Sequence, residues 1–268
     1  MSAVILHNSS VFIKVIYMYK NNTTTRNLIG IPVYVSSFDD QLNQISDWAQ
    51  DYQSKMVCVA NVHMLIEAWR NPVFADMLRN ADLVTPDGMP LVWMMKQMGV
   101  KQAERVAGME IFQTACEQAA AAQTSIFLLG AKPEVLDKIC QRLKNEFPLL
   151  KIAGTLSPPF APLGPDADMS IVQTINASGA GIVFVALGCP KQELWMAQHR
   201  DKIKAVMIGV GAVFPIYAGV LKQAPQFMRD AGFEWLFRLT QEPARLWSRY
   251  YSTIPIFIWL ALKQIYSK

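Results

Sequence analysis

The sequence contains few of the residues that build metal centres and disulfide frameworks. Only 4 of its 268 residues are cysteine and 3 are histidine, and no Cys-x-x-Cys spacing occurs. Three of the four cysteines lie in apolar runs, which is typical of reduced core thiols in a cytosolic protein. The histidines are scattered along the chain, so the sequence predicts neither a metal cluster nor a disulfide-stapled fold.

Charge is also scarce, and it is unevenly distributed. Charged residues make up 17% of the chain and hydrophobic residues 52%, a balance typical of a folded protein with a large core. The last 47 residues carry seven basic and three acidic side chains, which leaves 18 of each sign in the first 221. A neutral body argues against nucleic-acid binding, and the C-terminal excess predicts a cationic interaction tail.

No hydrophobic run is long enough to cross a bilayer. The uncharged stretch Tyr250–Leu262 has 13 residues, which as a helix covers about 20 Å against roughly 30 Å of hydrocarbon. Residues 1–26 lack a basic segment followed by an unbroken apolar one, so they predict a disordered leader and no cleaved signal peptide. A mean hydropathy of +0.18 keeps peripheral membrane contact open.

Apolar, β-branched runs alternate with helical patterns from residue 27 to about 220. This rhythm predicts an α/β, Rossmann-like fold with a mostly parallel sheet and helices on both faces. The predicted strands are Leu28–Val35, Met56–Ala60, Leu83–Thr85, Ser125–Leu129, Lys151–Ala153, Ile182–Leu187 and Val206–Val210. The predicted helices are Asp39–Gln50, Val62–Trp69, Pro72–Arg79, Met89–Met98, Met109–Ala121, Pro133–Phe147, Asp168–Ala177 and Gln192–Arg200.

The alternation stops after Gln223, which predicts two units. Residues 27–223 form the α/β domain, and residues 224–268 form a helical appendage broken at Pro225, Pro243 and Pro255. The Pro-rich segment Ser157–Asp168 predicts one long loop inside the domain.

Unusual side chains follow five of the predicted strands. Parallel strands place their carboxyl ends at one edge of the sheet, where ligands bind, so we expect these residues to converge on one crevice. The strand ends carry Asn61, Asp87-Gly88, Gly130, the turn Gly188–Glu193 and Gly211. Glycine before a helix N-terminus suits a phosphate and so suggests a nucleotide, although each glycine alone is also an ordinary turn residue. The sequence has neither the Gly-x-Gly-x-x-Gly fingerprint after a strand nor a P-loop.

Several side chains near these strand ends have two possible roles each. Asp87 could accept a proton as a general base, or it could cap a helix. Arg105 could bind a phosphate or pair with a surface carboxylate. Glu193 could be a second acid or a first-turn helix residue, and His63 could titrate near neutral pH or be structural. Asp166-Ala167-Asp168 has the spacing of a divalent-metal motif, but its place at a helix start favours capping.

Eight short motifs occur in an order that resembles the WecG/TagA/CpsF glycosyltransferases, glycosyltransferase family 26. The resemblance runs from about residue 27 to residue 255. The motifs are Asn61, Asn71-Pro72, Ala81-Asp82-Leu83, Asp87-Gly88, Glu104-Arg105-x-x-Gly108, Gly188-x-Pro190-Lys191-Gln192-Glu193, Gly209-x-Gly211-Ala212-x-Phe214 and Glu234-Trp235-x-x-Arg238-Leu239-x-x-Glu242-Pro243-x-Arg245.

The resemblance implies an inverting transfer of a sugar from a UDP-sugar to a sugar linked to undecaprenyl diphosphate, in surface or exopolysaccharide biosynthesis. It implies no metal and no cofactor, with Asp87 as the general base. It also implies a cytoplasmic enzyme bound peripherally to the inner face of the membrane, and it leaves a homo-oligomer open. The donor-binding residues that it indicates are Asn61, Gly88, Arg105, Gly108, Gly130, Gly188, Pro190, Lys191, Gln192, Glu193 and Gly211.

Three positions depart from the pattern of the family, and all lie near the expected sugar pocket. Val59 stands where many members have Thr, His63 where many have an acidic residue, and Pro215 where Asp is usual. These departures leave the donor sugar open, and the surrounding sequence looks closer to exopolysaccharide glucosyltransferase-like members than to N-acetylmannosamine enzymes.

The resemblance also implies that the C-terminal segment docks at the membrane. On a continuous helix, Arg238, Arg245 and Arg249 fall within about 40° of one another. The neighbouring apolar stripe consists of Trp235, Leu239, Leu246 and Tyr250. Such a helix suits an anionic membrane or the diphosphate of the acceptor, although a helix pair packed on its own domain, with solvated arginines, fits the same pattern.

Two other functions remain open on the residues alone. A non-catalytic membrane adaptor that binds nucleotide-sugars would use the same tail. A nucleotide-dependent oxidoreductase would use the same kind of crevice, but the missing dinucleotide fingerprint disfavours it.

Overall fold

A computed structural model describes residues 25–158 and 165–267. The strands are β1 Thr25–Leu28, β2 Ile31–Tyr34, β3 Lys55–Ala60, β4 Leu83–Pro86, β5 Ser125–Gly130, β6 Lys151–Leu156, β7 Ile182–Ala186 and β8 Val206–Gly209. The helices of the domain are α1 Phe38–Gln50, α2 Val62–Arg70, α3 Pro72–Arg79, α4 Met89–Gln97, α5 Gly108–Ala121, α6 Pro133–Glu146, α7 Pro165–Ser178, α8 Lys191–Gln198 and α9 Val213–Tyr217. The last helices are α10 Gln226–Asp230, α11 Glu234–Gln241 and α12 Pro243–Tyr266.

Six strands form one parallel sheet in the order β4-β3-β8-β7-β5-β6. Successive residues of β3 alternate between two hydrophobic clusters: Met56 and Cys58 belong to one, and Val57 and Val59 to the other. Helices α2, α3 and α8 cover the first cluster, and α1, α5 and α6 cover the second. Because both faces are buried, the strands read as continuous apolar runs. The predicted fold class is confirmed.

The predicted strand Leu28–Val35 is wrong. Its residues belong to a two-stranded antiparallel hairpin, β1 and β2, which lies outside the parallel sheet and packs beside β4. The turn residues Ile29 and Gly30 both have positive φ, at 52° and 87°, as a two-residue hairpin turn requires. The Gly30 N–H donates to the Asn27 side chain at 2.9 Å and so supports the turn.

The appendage contains one helix break fewer than expected. Pro225 precedes α10 and Pro243 is the first residue of α12, as predicted, but Pro255 lies inside α12. The long helix packs on α2 and α4 of the domain. Within the described residues, none of the helices is both long enough and apolar enough to span a bilayer.

The remaining predicted elements agree with the structure to within a few residues, and α7 begins at Pro165, three residues before the predicted Asp168. Residues 1–24 of the predicted leader and residues 159–164 of the predicted loop lie outside the described residues. Thr25 and Arg26, the last two residues of the predicted leader, belong to β1. The division into units at residues 26 and 223 stays a prediction.

Candidate active site

The five strand ends that the sequence singles out lie at the same edge of the sheet. Strands β4, β3, β8, β7 and β5 are consecutive neighbours and all are parallel, so their carboxyl ends form one continuous row. The structure therefore places Asp87, Asn61, Gly211, Gly188 and Gly130 along one edge of the sheet, and a ligand crevice at this edge stays a prediction.

Asp87 follows β4 and is held from two sides. Its backbone N–H donates to Ala60 O at 2.9 Å, and its carboxyl oxygen Oδ1 accepts the N–H of Gly108 at 3.1 Å. Asp87 does not cap α4, whose N-cap is Gly88 and receives no side-chain bond. The carboxyl group instead faces the first residue of α5.

The pKa of Asp87 is raised from 3.8 to about 6, first by burial and then by the carboxylate of Glu234. Arg105, the Gly108 N–H and Arg238 act in the opposite direction. A carboxyl group with a pKa near 6 is a stronger base than an ordinary one and is still ionised at neutral pH. Asp87 is therefore a candidate for a general base.

Arg105 is part of a chain of ion pairs that joins the domain to the appendage. Its Nη2 lies 3.5 Å from Glu110 Oε1 of α5, and its Nη1 lies 3.3 Å from Glu234 Oε2 of α11. Arg229 of α10 lies 3.5 Å from the same Glu110 oxygen. The side chain of Arg105 is 14% exposed, so its ion pairs are partly buried rather than solvent-exposed. A phosphate that binds there would contact a guanidinium already held in position.

The turn before α8 contains a buried polar network. Gln192 Oε1 accepts the N–H of Gly188 at 3.2 Å, and Gln192 Nε2 donates to Glu193 Oε1 at 2.7 Å. Gln192 is 4% exposed and Glu193 is fully buried. Burial raises the pKa of Glu193 to about 7, against the hydrogen bonds from Gln192 and from its own backbone N–H. In the same turn, the peptide bond to Pro190 is cis, and Lys191 is exposed.

The glycines at the strand ends serve the backbone in different ways. At Gly130, with φ of 109°, a Cβ would lie 2.6 Å from Ala186 O of the adjacent strand, so close strand packing requires glycine there. Gly108 is the first residue of α5, and a Cβ would meet Val213 and Val59 at 3.3 and 3.4 Å. The structure places both glycines at the crevice, and their contact with a donor stays a prediction.

Asn61 caps α2, because its Oδ1 accepts the N–H of Met64 at 3.2 Å. His63 lies in the first turn of the same helix, 3.7 Å from Glu67. The pKa of His63 is lowered from 6.5 to about 4, first by burial and then by Arg249, while a hydrogen bond to the backbone of Cys189 opposes the shift. His63 is therefore neutral at physiological pH, and its hydrogen bond to Cys189 connects α2 to the turn before α8. Of the other departures, Val59 is 7% exposed, and Pro215 lies in α9.

The three arginines of the appendage lie on two helices, because the chain breaks between α11 and α12. Arg238 is on α11, and its Nε is buried without a hydrogen-bond partner among the residues that the structure describes. Arg245 pairs with Glu242, with Nε 2.9 Å from Oε1. The pKa of Arg249 is lowered, first by burial and then by the positive charge of Arg245. These groups form a cationic cluster that only Glu242 neutralises through a salt bridge within the described ranges.

The apolar stripe predicted beside the arginines is wrong. Leu246 is fully buried, and Trp235 and Tyr250 pack edge to face against each other with their ring centroids 5.7 Å apart. The exposed apolar face of α12 is a different one, here called the aromatic face. Its members are Trp247, Tyr251, Ile258, Trp259, Leu262 and Tyr266, and each is 49% to 78% exposed.

Asp166 and Asp168 lie in the first turn of α7. Asp168 Oδ1 accepts from Trp195 Nε1 at 3.1 Å, and Asp168 Oδ2 lies 2.8 Å from Nε2 of the buried His199. This carboxylate therefore ties α7 to α8. In the part of the chain that is described, the histidine, cysteine and acidic side chains form no group of three that could hold a metal ion.

Glu234 and Glu110 are charged groups of the site for which sequence reasoning assigned no role. Glu234 is the first residue of the Glu-Trp-x-x-Arg-Leu motif, and this motif was the one sign in the sequence that Glu234 has a role. Its partner Arg105, however, lies 129 residues earlier in the chain. Glu110 is an ordinary first-turn residue of α5, and nothing in the sequence distinguishes it.

A parallel α/β sheet with a buried carboxyl group, held arginines and glycine turns at its strand ends is typical of α/β enzyme domains. The model of the "Glycosyl transferase WecG/TagA/CpsF family" matches residues 26–268. The chain therefore belongs to the WecG/TagA/CpsF family of glycosyltransferases. It is also 33% identical over 208 residues to an N-acetylglucosaminyldiphosphoundecaprenol N-acetyl-beta-D-mannosaminyltransferase of Bacillus spizizenii strain W23, covering 77% of this chain and 78% of that relative.

Proposed function

We propose that this protein is an inverting, metal-independent glycosyltransferase that moves a hexose or N-acetylhexosamine from a UDP-sugar to a sugar linked to undecaprenyl diphosphate. The observation that carries the proposal is Asp87, a carboxyl group with a pKa of about 6, fixed by the Gly108 N–H at the strand ends. The family supports the reaction type, and the name of the Bacillus relative supports a lipid-diphosphate acceptor.

In the proposed reaction, Asp87 removes the proton of an acceptor hydroxyl as that oxygen attacks the anomeric carbon. The new glycosidic bond forms while the bond from the anomeric carbon to the UDP oxygen breaks, so UDP leaves with the bonding electrons and the configuration inverts. Arg105 and Arg238 lie beside Asp87 in the crevice and stabilise the negative charge that develops on the diphosphate. Lys191, exposed at the start of α8, supplies a further cation at the β7 end of the crevice.

We place the enzyme at the inner face of the cytoplasmic membrane, where its acceptor resides. The aromatic face of α12 supplies the apolar surface for this contact, and Arg238, Arg245 and Arg249 supply positive charge next to the crevice. The acceptor diphosphate would then meet the cationic cluster as the lipid enters from the membrane.

Replacing Asp87 with asparagine tests the base. The asparagine side chain keeps an oxygen that can accept the Gly108 N–H, but it cannot take a proton at neutral pH. We expect the rate of UDP release in the presence of a short-chain lipid-diphosphate sugar to fall at least about 100-fold, the lower range of general-base contributions. The affinity for UDP, measured by calorimetry, should stay within a few-fold of the wild-type value.

The matched control is Asp137→Asn, which removes an exposed carboxylate on α6 and should leave transfer unchanged. Transfer by Asp87→Asn at the wild-type rate would contradict the assignment of the base. Absence of UDP release by the wild-type protein with every UDP-sugar and lipid acceptor in a panel would contradict the proposed function.

A further inference from the structure

The side chain of Gln192 fills the gap between the ends of β7 and β8. A Cβ at Gly209 would lie 2.9 Å from Gln192 Nε2, and a Cβ at Gly211 would lie 3.4 Å from Gln192 Oε1. Glycine at position 209 therefore makes room for the amide, and Gly211 lies in contact distance of it. The amide is buried against backbone, so both of its ends need hydrogen-bond partners.

The two ends of this amide are chemically different, and its neighbours select one orientation. The Gly188 N–H needs an acceptor and finds Gln192 Oε1 at 3.2 Å. The amide nitrogen then points to Glu193, whose Oε1 accepts at 2.7 Å. The flipped amide would turn its nitrogen toward the Gly188 N–H, where two donors would meet, and its oxygen toward ionised Glu193, where two acceptors would meet. Gly188 and ionised Glu193 therefore favour the same orientation of the Gln192 amide.

The bond to Gln192 Oε1 is one of two hydrogen bonds that hold Gly188 in the turn. Its φ is 83°, and apart from its chain neighbours no atom of the described residues lies within 4 Å of the position that a Cβ would occupy. The Gly188 carbonyl also accepts the N–H of Gln192 at 2.9 Å, which closes the turn from the other side. The exposed Lys191 follows three residues later, so the position of the turn decides where its ammonium group lies.

We propose that Glu193 is a positioning residue: through the Gln192 amide it fixes the backbone of the turn Gly188–Lys191, and it does not itself contact the donor. The carboxyl group is fully buried, and Gln192 lies between it and Gly188. The inference deepens the proposed function, because it takes this turn to be the place where the nucleotide diphosphate binds.

The test compares two variants of Glu193 in the full-length protein. Glu193→Gln keeps a carbonyl oxygen for Gln192 Nε2, whereas Glu193→Leu fills similar space without an acceptor. Gln198→Leu, on the exposed side of the same helix, is the control. The readouts are hydrogen exchange of the Gly188 amide, followed by nuclear magnetic resonance, and the affinity for UDP, measured by calorimetry.

We expect Glu193→Leu to accelerate exchange at Gly188 by about tenfold or more and to weaken UDP binding by a similar factor, because the Gln192 amide loses its buried acceptor. Glu193→Gln should restore most of both, and Gln198→Leu should change neither. A general loss of stability would accelerate exchange in every strand, whereas loss of positioning confines the change to the turn.

The exchanged pair Gln192→Glu/Glu193→Gln provides a second test if Glu193→Leu fails to fold. It keeps an acceptor for Gly188 and a donor between the two side chains, so it should protect the Gly188 amide as the wild type does. Fast exchange at Gly188 in the exchanged pair, or slow exchange in Glu193→Leu, would overturn the positioning role. If the wild type does not bind UDP while exchange at Gly188 responds as expected, the proposed function fails and the positioning role stands.

Discussion

The pKa of Asp87, and with it the protonation state, depends on neighbouring charges. One of these charges belongs to a residue of the appendage. Glu234 raises the pKa of Asp87, and the same carboxylate holds Arg105, which would otherwise lower that pKa further. Glu110 pairs with both Arg105 and Arg229, so these two residues belong to the same ion-pair chain as Arg105. The strength of the proposed base therefore depends on a residue of α11.

Replacing Glu234 with glutamine tests this dependence. Since the base must be deprotonated, we expect wild-type transfer to rise with pH through a midpoint near 6. Glu234→Gln removes the negative charge that raises the pKa of Asp87, so this pKa should fall. The midpoint of the pH profile of kcat/KM should move to lower pH.

Glu242→Gln is the matched control, because Glu242 is a carboxylate of the appendage that pairs with Arg245 and does not contribute to the pKa of Asp87. Its midpoint should remain at the wild-type value. A midpoint for Glu234→Gln that is unchanged or higher would show that Glu234 does not set the base.

The elements of the domain could largely be predicted from the sequence, because each strand is a short apolar run bounded by turn residues. The hairpin could not, since Leu28, the turn and β2 form one apolar run in which Ile29 occupies a positive-φ position that normally takes Asn, Asp or Gly. The exposed face of α12 could not be predicted either. Which residues of a helix are covered depends on the partner, and here α2 and α4 pack on α12, whose Phe257 and Ala261 join the first hydrophobic cluster.

The aromatic face of α12 makes a prediction about membrane binding. Trp247→Ser combined with Trp259→Ser should reduce cosedimentation with anionic vesicles at least about tenfold, because burying one large apolar side chain is worth about 1.5–3 kcal/mol. Leu149→Ser, which removes a side chain 79% exposed on the domain, should leave binding unchanged. Vesicle binding by the double variant at the wild-type level would assign the aromatic face to another contact.

The site as a whole was only partly predictable. The crevice followed from the parallel sheet, and Asp87 followed from its place at a strand end. The ion pair of Arg105 with Glu234 and the effect of Arg249 on the pKa of His63 join residues that are far apart in sequence, and both depend on how α11 and α12 pack against the domain. No local pattern encodes that packing.

The free energy of unfolding of the whole protein should depend on pH, because folding raises the pKa of Asp87. In the folded state the pKa of Asp87 is about 6, above its unfolded value of about 3.8, so the folded state binds the proton more tightly. The stability associated with that proton is present below about pH 3.8 and is lost as pH rises through about 6. Ionised Asp87 therefore destabilises the fold at neutral pH.

Asp87→Asn removes this titration, so its free energy of unfolding relative to the wild type should increase by about 2 kcal/mol between pH 4.5 and pH 8. Urea unfolding of both proteins at the two pH values measures the difference. His63 has a lowered pKa and acts in the opposite direction, but it is present in both proteins and cancels. A difference that does not change with pH would argue that the carboxyl group titrates normally in the fold.

The ion pair between Arg105 and Glu234 has a consequence for synthesis on the ribosome. The two residues are 129 positions apart, and translation proceeds at about 5–20 residues per second, so Arg105 is made roughly 6 to 26 seconds before its partner. During that interval the nascent domain carries Asp87 and Arg105 without Glu234 and Arg238. The backbone around the crevice can fold early. The charges that set the pKa of Asp87 are complete only when α11 has left the ribosome.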